Sequence, residues 1–276
     1  MGYIEVEEGI SLYYEEFGTG DNYILSAQMG FYKKGMQQRM AELGYHVFCM
    51  TIRGFSPSSS VSTDYGEHWY DVFAEDVVRF ADAMQIDTFT YMGASHGAGI
   101  GWHLMLLHPE RVKAFVAVVG GPHSLDAGRM SYRQMLEQGI IKEIPPFNPP
   151  IDNDPERETR RRIRAEHIAS LPPAPEGERH IDYGRPLMRL GSEEALIEAL
   201  KRIETPVLML GGIEDPISTP ELMLRSAKAV PHCKLVLYAN CGHDIDTDLI
   251  EETTFEADRF LKNVALNGKC YEKVIE

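Results

Sequence analysis

Short apolar runs alternate with amphipathic stretches along most of this chain. Three runs typical of strands come first, at residues 3–6, 10–17 and 23–27. Further strands are predicted at 46–52, 88–92, 114–119, 206–210 and 234–239, and helices at 34–43, 70–84, 98–107, 220–229 and 249–261. Repeated β-α-β alternation favours a mostly parallel sheet with helices on both faces. The pattern therefore predicts an α/β fold with a doubly wound sheet.

The alternation is interrupted between residues 122 and 205. This stretch contains Pro145-Pro146-Phe147-Asn148-Pro149-Pro150 and Pro172-Pro173-Ala174-Pro175, with short helical pieces between them. So long a connection without structure of its own is uncommon in a compact domain. We therefore predict that residues 122–205 form an inserted lid, and that residues 1–121 and 206–276 form the core domain.

The segment Gly93-Ala94-Ser95-His96-Gly97 joins a predicted strand to a predicted helix. It has the G-x-S-x-G spacing of a nucleophile elbow, in the strand-turn-helix context that the motif requires. The turn holds the nucleophile in a strained backbone conformation, and the flanking glycines remove Cβ atoms that would clash. A helix N-terminus also favours developing negative charge. The motif predicts a nucleophilic Ser95, and a glycine-rich turn used only for packing is the alternative.

A nucleophilic serine needs a base, and the base needs an orienting acid. Predicted strand 206–210 leads into Asp215, and predicted strand 234–239 leads into His243. Because the carboxyl ends of parallel strands lie at one edge of a sheet, Ser95, Asp215 and His243 are expected to converge. Ser95 would attack, His243 would accept and return the proton, and Asp215 would fix the histidine tautomer. Glu214, next to Asp215, is an alternative acid.

On these motifs the chain resembles the α/β-hydrolase superfamily over almost its whole length. The resemblance is carried by the elbow, by Arg53-Gly54-Phe55-Ser56, by His108-Pro109-Glu110-Arg111-Val112, by residues 211–215 and by Gly242-His243. It implies an α/β-hydrolase fold, with Ser95, Asp215 and His243 at the triad positions. Some members place their acid where this chain has Asp126, so that residue is a further alternative.

One loop departs from the pattern of the superfamily. Where the family usually has His-Gly, this chain has Ser26-Ala27-Gln28-Met29-Gly30-Phe31. Either Met29 or Gly30 is therefore expected to supply one backbone N–H of an oxyanion hole, and His96 the other. A backbone donor needs no particular side chain, so the mechanism does not depend on this departure.

The identity of the nucleophile at the elbow distinguishes the reactions that enzymes of this fold catalyse. Dehalogenases and epoxide hydrolases of similar fold use aspartate at the elbow, so Ser95 argues against both. We predict hydrolysis of a small-to-medium, fairly apolar carboxylic ester or lactone. Carbon–carbon hydrolysis, perhydrolysis and ligand binding or signalling without turnover remain alternatives. The predicted substrate contacts are residues of the lid and loops, namely Phe31, Tyr32, His96, Met130 and Phe147. Core packing is the alternative for the apolar residues, and packing under the lid is the alternative for His96.

Composition and charge limit the partners. A chain of 276 residues, 43% hydrophobic, suits one domain with an insertion. A net charge of -15 argues against nucleic acids and anionic membranes, and no apolar run is long enough to span a bilayer. We predict a small-molecule substrate and leave a homo-oligomer open. No cofactor or metal motif is recognised; the segment from Asp244 to Asp248 lacks the glycine of a calcium loop.

The remaining charged and thiol groups receive structural interpretations. Asp248 and Glu251 are predicted to cap a helix. Trp69, Trp102 and His103 are predicted to be core or pocket wall. The cysteine spacing indicates no disulfide framework, and the N-terminus lacks a signal peptide pattern, so a reducing cytoplasm is expected. An arginine cluster is predicted to be a solvated helix face with i, i+4 ion pairs, with anionic substrate guidance or a subunit contact as alternatives: Arg157, Arg160, Arg161, Arg162 and Arg164.

Overall fold

The centre of the molecule is a twisted sheet. The structure, a computed structural model, describes residues 1–30, 35–125, 135–136, 138–143, 146–151, 154–170 and 185–270. Within these residues eight strands form one sheet: β1 (Gly2–Glu7), β2 (Ile10–Phe17), β3 (Tyr23–Gln28), β4 (His46–Thr51), β5 (Phe89–Ala94), β6 (Val112–Val118), β7 (Val207–Gly212) and β8 (Cys233–Tyr238). β2 runs antiparallel to its neighbours β1 and β4, and the other neighbouring strands are parallel.

The strand order places a topological switch point of the sheet beside the elbow. Across the sheet the order is β1-β2-β4-β3-β5-β6-β7-β8, so β4 and β5 lie on opposite sides of β3. The connections leaving β3 and β4 therefore proceed in opposite directions, and open α/β sheets bind ligands outside the strand ends at such a point. β5 ends at Ala94, directly before Ser95.

Helices cover both faces of the sheet. They are α1 (Gly35–Glu42), α2 (Trp69–Ala83), α3 (His96–Leu107), α4 (Pro155–Ser170), α5 (Glu193–Leu200), α6 (Pro220–Ala229), α7 (Ile245–Asp248) and α8 (Ile250–Asn267). One apolar cluster on one side of the sheet includes Phe73 and Trp102, and a second on the other side includes Met40 and Phe260. The predicted doubly wound architecture is thus confirmed. Trp69, Trp102 and His103 are fully buried, as predicted for core residues.

The sequence pattern locates the strands closely. Predicted strand ends agree with the observed ones to within two residues, because strong β periodicity and flanking turn residues are local signals. The last helix is longer than predicted: it continues to Asn267. The residue after it, Gly268, has a φ of +67°. A left-handed glycine is the usual residue after a helix.

The arginine cluster lies on α4, where four of its members contact the segment from Asp244 to Asp248. Arg157 and Arg161 form ion pairs with the fully buried carboxylate of Asp248, and Arg164 pairs with Asp244 at 2.9 Å. Arg160 donates to the backbone carbonyl oxygen of Asp248 at 2.8 Å and forms an i, i+4 pair with Glu156 at 3.6 Å. Arg162 forms the predicted i, i+4 pair on the surface, with Glu166 at 2.9 Å. The prediction of a solvated face was therefore wrong for most of the cluster, because the charges on this helix face neutralise carboxylates of the 244–248 segment.

The predicted cap at Asp248 was also wrong. The residue before α8 is Leu249, which makes no side-chain cap hydrogen bond, and the Asp248 carboxylate instead binds the two arginines. Glu251 pairs with Arg39 of α1 at 2.9 Å.

Two further sequence expectations concern disulfides and membrane-spanning segments. Cys49, Cys233, Cys241 and Cys270 all lie in the described residues and form no disulfide, as expected. Among the residues that the structure places, no helix is both long enough and apolar enough to cross a membrane. The division into a core and a lid at residues 122 and 205 stays a prediction, although α4 and α5 show that the inserted stretch contains helices.

Candidate active site

The elbow between β5 and α3 has strained geometry. Ser95 has a φ of +51° and a ψ of −112°, which is unusual for a residue with a side chain. A Cβ atom on Gly93 would overlap the Gly97 carbonyl and lie 2.7 Å from the nitrogen of Ala98. One on Gly97 would lie 2.8 Å from the carbonyl oxygen of Ala27. The two glycines are therefore required by the close approach of strand and helix, as the motif predicted.

Three side chains meet at the carboxyl edge of the sheet. His243 Nε2 lies 2.8 Å from Ser95 Oγ, and His243 Nδ1 lies 2.8 Å from Asp215 Oδ2. A carboxylate only accepts hydrogen bonds, so Nδ1 carries the proton and Nε2 is free to accept the proton of the serine hydroxyl. The sequence predicted this convergence from strand ends, and the three side chains lie together in the structure.

Asp215 is fixed independently of the histidine. Its Oδ1 accepts the backbone N–H groups of Ile217 at 2.8 Å and Ser218 at 3.0 Å. The side chain is buried, whereas Ser95 is half-buried. These two hydrogen bonds leave Oδ2 to face the imidazole.

The alternative acids differ in their placement. Glu214 points to the other loop: its Oε2 accepts the backbone N–H of Cys241 at 3.0 Å, which ties the segments after β7 and β8 together. Asp215, and not Glu214, is hydrogen-bonded to His243. Asp126 lies outside the described residues.

The predicted oxyanion donors lie beside the elbow. Met29 and Gly30 follow β3, the strand that pairs with β5, and both are half-buried. A Cβ atom on Gly30 would lie 2.6 Å from the carbonyl oxygen of Ser56, so the backbone is closely packed at this point. His96 is the first residue of α3. The assignment of donors to Met29 or Gly30 and to His96 stays a prediction.

The predicted substrate contacts fall into two groups. Phe31, Tyr32 and Met130 lie outside the described residues. Phe147 lies close to His243: the two ring centroids are 6.1 Å apart in an edge-to-face arrangement. A contact of Phe147 with substrate stays a prediction.

The ring of His96 packs into an aromatic group beneath the elbow. Its centroid lies 4.9 Å from Tyr70 and 5.3 Å from Phe73, both on α2. Burial lowers the pKa of His96 to about 3, because the charged imidazolium would lose its hydration there. The ring is therefore neutral, and its substrate contact stays a prediction.

A buried tyrosine supports the elbow from below and was missed by sequence reasoning. Tyr91 Oη donates to the carbonyl oxygen of Gly97 at 2.9 Å and lies 3.4 Å from that of Ala27. It thus links the first turn of α3 to the end of β3. Its position in an apolar strand gave no signal beyond core packing.

Acidic groups crowd the loop after β8. Burial raises the pKa of Asp246 to about 6, and the nearby Arg164 opposes this shift.

Within the described residues no group of three His, Cys, Asp or Glu side chains is arranged to hold a metal ion.

The fold and this geometry agree with comparisons to known proteins. The family model for the alpha/beta hydrolase fold matches residues 18–245. The chain therefore belongs to the α/β-hydrolase fold family, and the resemblance inferred from its motifs is confirmed.

Characterised relatives share part of the sequence. The 2-hydroxymuconate semialdehyde hydrolase of Pseudomonas sp. (strain CF600) is 33% identical over 184 residues, which are 63% of this chain and 62% of the relative. The 3-oxoadipate enol-lactonase 2 of Acinetobacter baylyi is 29% identical over 224 residues, 77% of this chain and 79% of the relative. The match to the bifunctional epoxide hydrolase 2 of Rattus norvegicus, 28% identical over 152 residues, spans only 26% of that protein's length.

A solved structure extends the likeness to the whole fold. Est816, described as an N-acyl homoserine lactone degrading enzyme, superposes with a TM-score of 0.73 at 21% identity, covering 94% of this chain and 100% of Est816. At this identity the likeness concerns the fold alone.

Proposed function

We propose that the chain is a serine hydrolase that cleaves small-to-medium, fairly apolar carboxylic esters or lactones through an acyl-enzyme. The observation that carries this proposal is the continuous hydrogen-bonded line from Asp215 through His243 to Ser95, with both links at 2.8 Å. A serine on a strained elbow, a histidine hydrogen-bonded to it and an orienting carboxylate are the groups that acyl transfer needs.

The chemical steps follow from the donors and acceptors. Ser95 Oγ attacks the carbonyl carbon of the substrate while its proton passes to His243 Nε2. The carbonyl oxygen becomes an oxyanion, which the backbone N–H of His96 and that of Met29 or Gly30 stabilise. The C–O bond to the leaving group then breaks, and the imidazolium returns the proton to the departing alkoxide. Asp215 stabilises the imidazolium but keeps its own charge.

Deacylation uses the same groups in reverse. His243 Nε2 takes a proton from water, whose oxygen attacks the acyl carbon. The second tetrahedral intermediate collapses, the bond to Ser95 Oγ breaks, and the serine recovers its proton from His243. The products are a carboxylic acid and an alcohol, or a hydroxy acid when the substrate is a lactone.

The preference for esters and lactones has independent support. A lactonase is among the relatives at 29% identity, and Ser95 stands where an aspartate nucleophile would be needed for epoxide opening. Residues 122–205 are proposed to act as a lid, because the ring of Phe147 in this stretch lies beside that of His243 in an edge-to-face arrangement. An apolar ring at this place favours apolar acyl or alcohol groups.

Carbon–carbon hydrolysis is the second candidate. The relative with 33% identity is a 2-hydroxymuconate semialdehyde hydrolase, and the Ser-His-Asp arrangement could serve that chemistry as well. The two candidates differ in product, since only an ester or lactone releases an oxygen leaving group.

The decisive experiment measures turnover of p-nitrophenyl esters from acetate to decanoate and of a matched lactone series, with wild type and Ser95→Ala. We expect multiple turnovers with wild type and a loss of at least about 10⁴-fold with the alanine variant. The acyl length with the highest kcat/KM gauges the pocket. A wild type that turns over no ester or lactone but cleaves a β-diketone would replace the proposal with the second candidate.

A fluorophosphonate probe separates the remaining outcomes. Labelling of Ser95 without turnover of any of these substrates would indicate an activated serine with a different substrate. Absence of both labelling and turnover would contradict the catalytic proposal and favour the binding or signalling alternative.

A further inference from the structure

Two consecutive residues of the stretch between β6 and β7 hold the loop that carries His243. The backbone N–H of His243 donates to the carbonyl oxygen of Phe147 at 2.9 Å. The backbone N–H of Asp244 donates to Asn148 Oδ1 at 2.9 Å, and Asn148 Nδ2 donates to Asp244 Oδ2 at 2.7 Å. Asn148 therefore forms a reciprocal pair with Asp244, using both its donor and its acceptor.

The approach of this segment is close enough to require glycine at position 242. A Cβ atom on Gly242 would overlap the carbonyl oxygen of Phe147 and lie 2.7 Å from Asn148 Cα. The contact is thus backbone against backbone, and neither partner can shift without losing hydrogen bonds. The same glycine immediately precedes the histidine of the proposed triad.

The other oxygen of Asp244 is held as well. Arg164 Nη2 of α4 lies 2.9 Å from Asp244 Oδ1, so Asn148 and Arg164 engage both oxygens of one carboxylate. One turn further on, Arg157 and Arg161 of α4 bind the buried Asp248. The stretch between β6 and β7 therefore contacts the segment after His243 through two elements, Asn148 and helix α4.

Position matters because the imidazole must meet two partners at once. His243 lies in a loop, and its Nδ1 and Nε2 bonds and its backbone bond to the Phe147 carbonyl fix it directly. A displacement of about 1 Å at a reacting group can cost about 10²-fold in rate. Supporting hydrogen bonds are what hold such a group within the required tolerance.

We propose that Asn148 is a positioning residue: its paired hydrogen bonds with Asp244 hold the His243 loop so that Nε2 stays within reach of Ser95 Oγ. This inference rests on the proposed function of Ser95 and His243. It assigns to the predicted lid a part in the framework of the triad, besides any cover over the substrate.

The test uses variants that reverse the direction of one hydrogen bond. N148D keeps the oxygen that accepts from the Asp244 backbone but places a carboxylate opposite Asp244 Oδ2, so the two repel. In the double variant N148D/D244N the amide of the new asparagine at position 244 donates to the new carboxylate at position 148, so the side-chain hydrogen bond is restored in the opposite direction. The amide oxygen at position 244 still accepts from Arg164. If N148D does not fold, N148A removes both bonds without adding charge.

The readouts are the second-order rate of Ser95 labelling by a small phosphonofluoridate, and kcat and KM for one ester. A small reagent makes few contacts with the lid, so its rate reports on Ser95 and His243. We expect N148D to lower the labelling rate and kcat about 10- to 100-fold, with KM within about 3-fold of wild type. The double variant is expected to recover at least about 5-fold in both rates.

The outcomes are separable. Wild-type rates in N148D, or a defect confined to KM or to the thermal midpoint, would overturn the positioning role while leaving the proposed hydrolase intact. A double variant as slow as N148D would also overturn it, since the pair would not be the cause. A wild type that is not labelled at Ser95 contradicts the proposed function itself, and the inference with it.

Discussion

Asp215 Oδ2 lies 2.8 Å from His243 Nδ1, although the two residues stand 28 positions apart in the chain. They follow the neighbouring parallel strands β7 and β8, whose register sets Gly212 opposite Tyr238 at the carboxyl edge of the sheet. The strand ends bring the two loops together, and the Ile217 and Ser218 amides turn the carboxylate towards the imidazole.

Asp215→Asn is expected to lower kcat for p-nitrophenyl acetate by about 10³- to 10⁴-fold, since an amide favours the wrong histidine tautomer. Steady-state kinetics measure this effect. The matched control is Glu214→Gln, because the glutamine oxygen can still accept the Cys241 N–H, and its kcat is expected to stay within about 3-fold of wild type. The reverse ranking of the two variants would assign the orienting role to Glu214.

Gly93→Ala is expected to destabilise the protein by about 3 kcal/mol or more, because the new Cβ would overlap the backbone of Gly97. Urea unfolding followed by far-UV circular dichroism measures the change. Gly66→Ala provides the comparison: its φ is +55° but a Cβ there meets nothing within 4 Å, so only about 1 kcal/mol of backbone strain is expected. Equal decreases in the free energy of unfolding of the two variants would show that the close approach of backbone at Gly93 adds nothing to the strain of a left-handed alanine.

Asp248→Asn is expected to lower the free energy of unfolding by about 3 kcal/mol, since Arg157 and Arg161 would lose the buried carboxylate that they share. Differential scanning calorimetry would record the lowered midpoint. The surface pair between Arg162 and Glu166 has both side chains 62% exposed, so Glu166→Gln is expected to change stability by about 0.5 kcal/mol or less. An Asp248→Asn variant with the free energy of unfolding of wild type would mean that the ion pairs of Arg157 and Arg161 with Asp248 do not stabilise the protein.

Asp246→Asn is expected to stabilise the protein above about pH 6 and to have no effect at about pH 3. Burial raises the pKa of Asp246 from 3.8 to about 6, so the folded state favours the neutral acid. The wild type therefore loses stability as the pH rises through this window, whereas an asparagine stays neutral. One pKa unit corresponds to about 1.4 kcal/mol, so a gain of about 1–3 kcal/mol is expected at about pH 8. Chemical denaturation across this pH range tests the sign, and destabilisation of the variant at pH 8 would contradict it.

Local patterns were sufficient for the strands and for several helices of the core. Residues 10–17 and 220–229 were located without error, because apolar periodicity and the proline that begins α6 are signals within the segment itself. The elbow was equally readable, since the glycines on either side of Ser95 answer a steric demand between residues only a few positions apart.

The sequence by itself determined the α/β fold family, the strained serine and the strand ends from which Asp215 and His243 emerge. These depend on local periodicity and on the rule that parallel strands share their carboxyl edge. Only the tertiary structure decided that Arg161 reaches Asp248, 87 positions away, and that Asn148 pairs with Asp244 across 96 positions. Charge and polarity along a chain do not reveal which groups become buried together, because this depends on how distant elements pack.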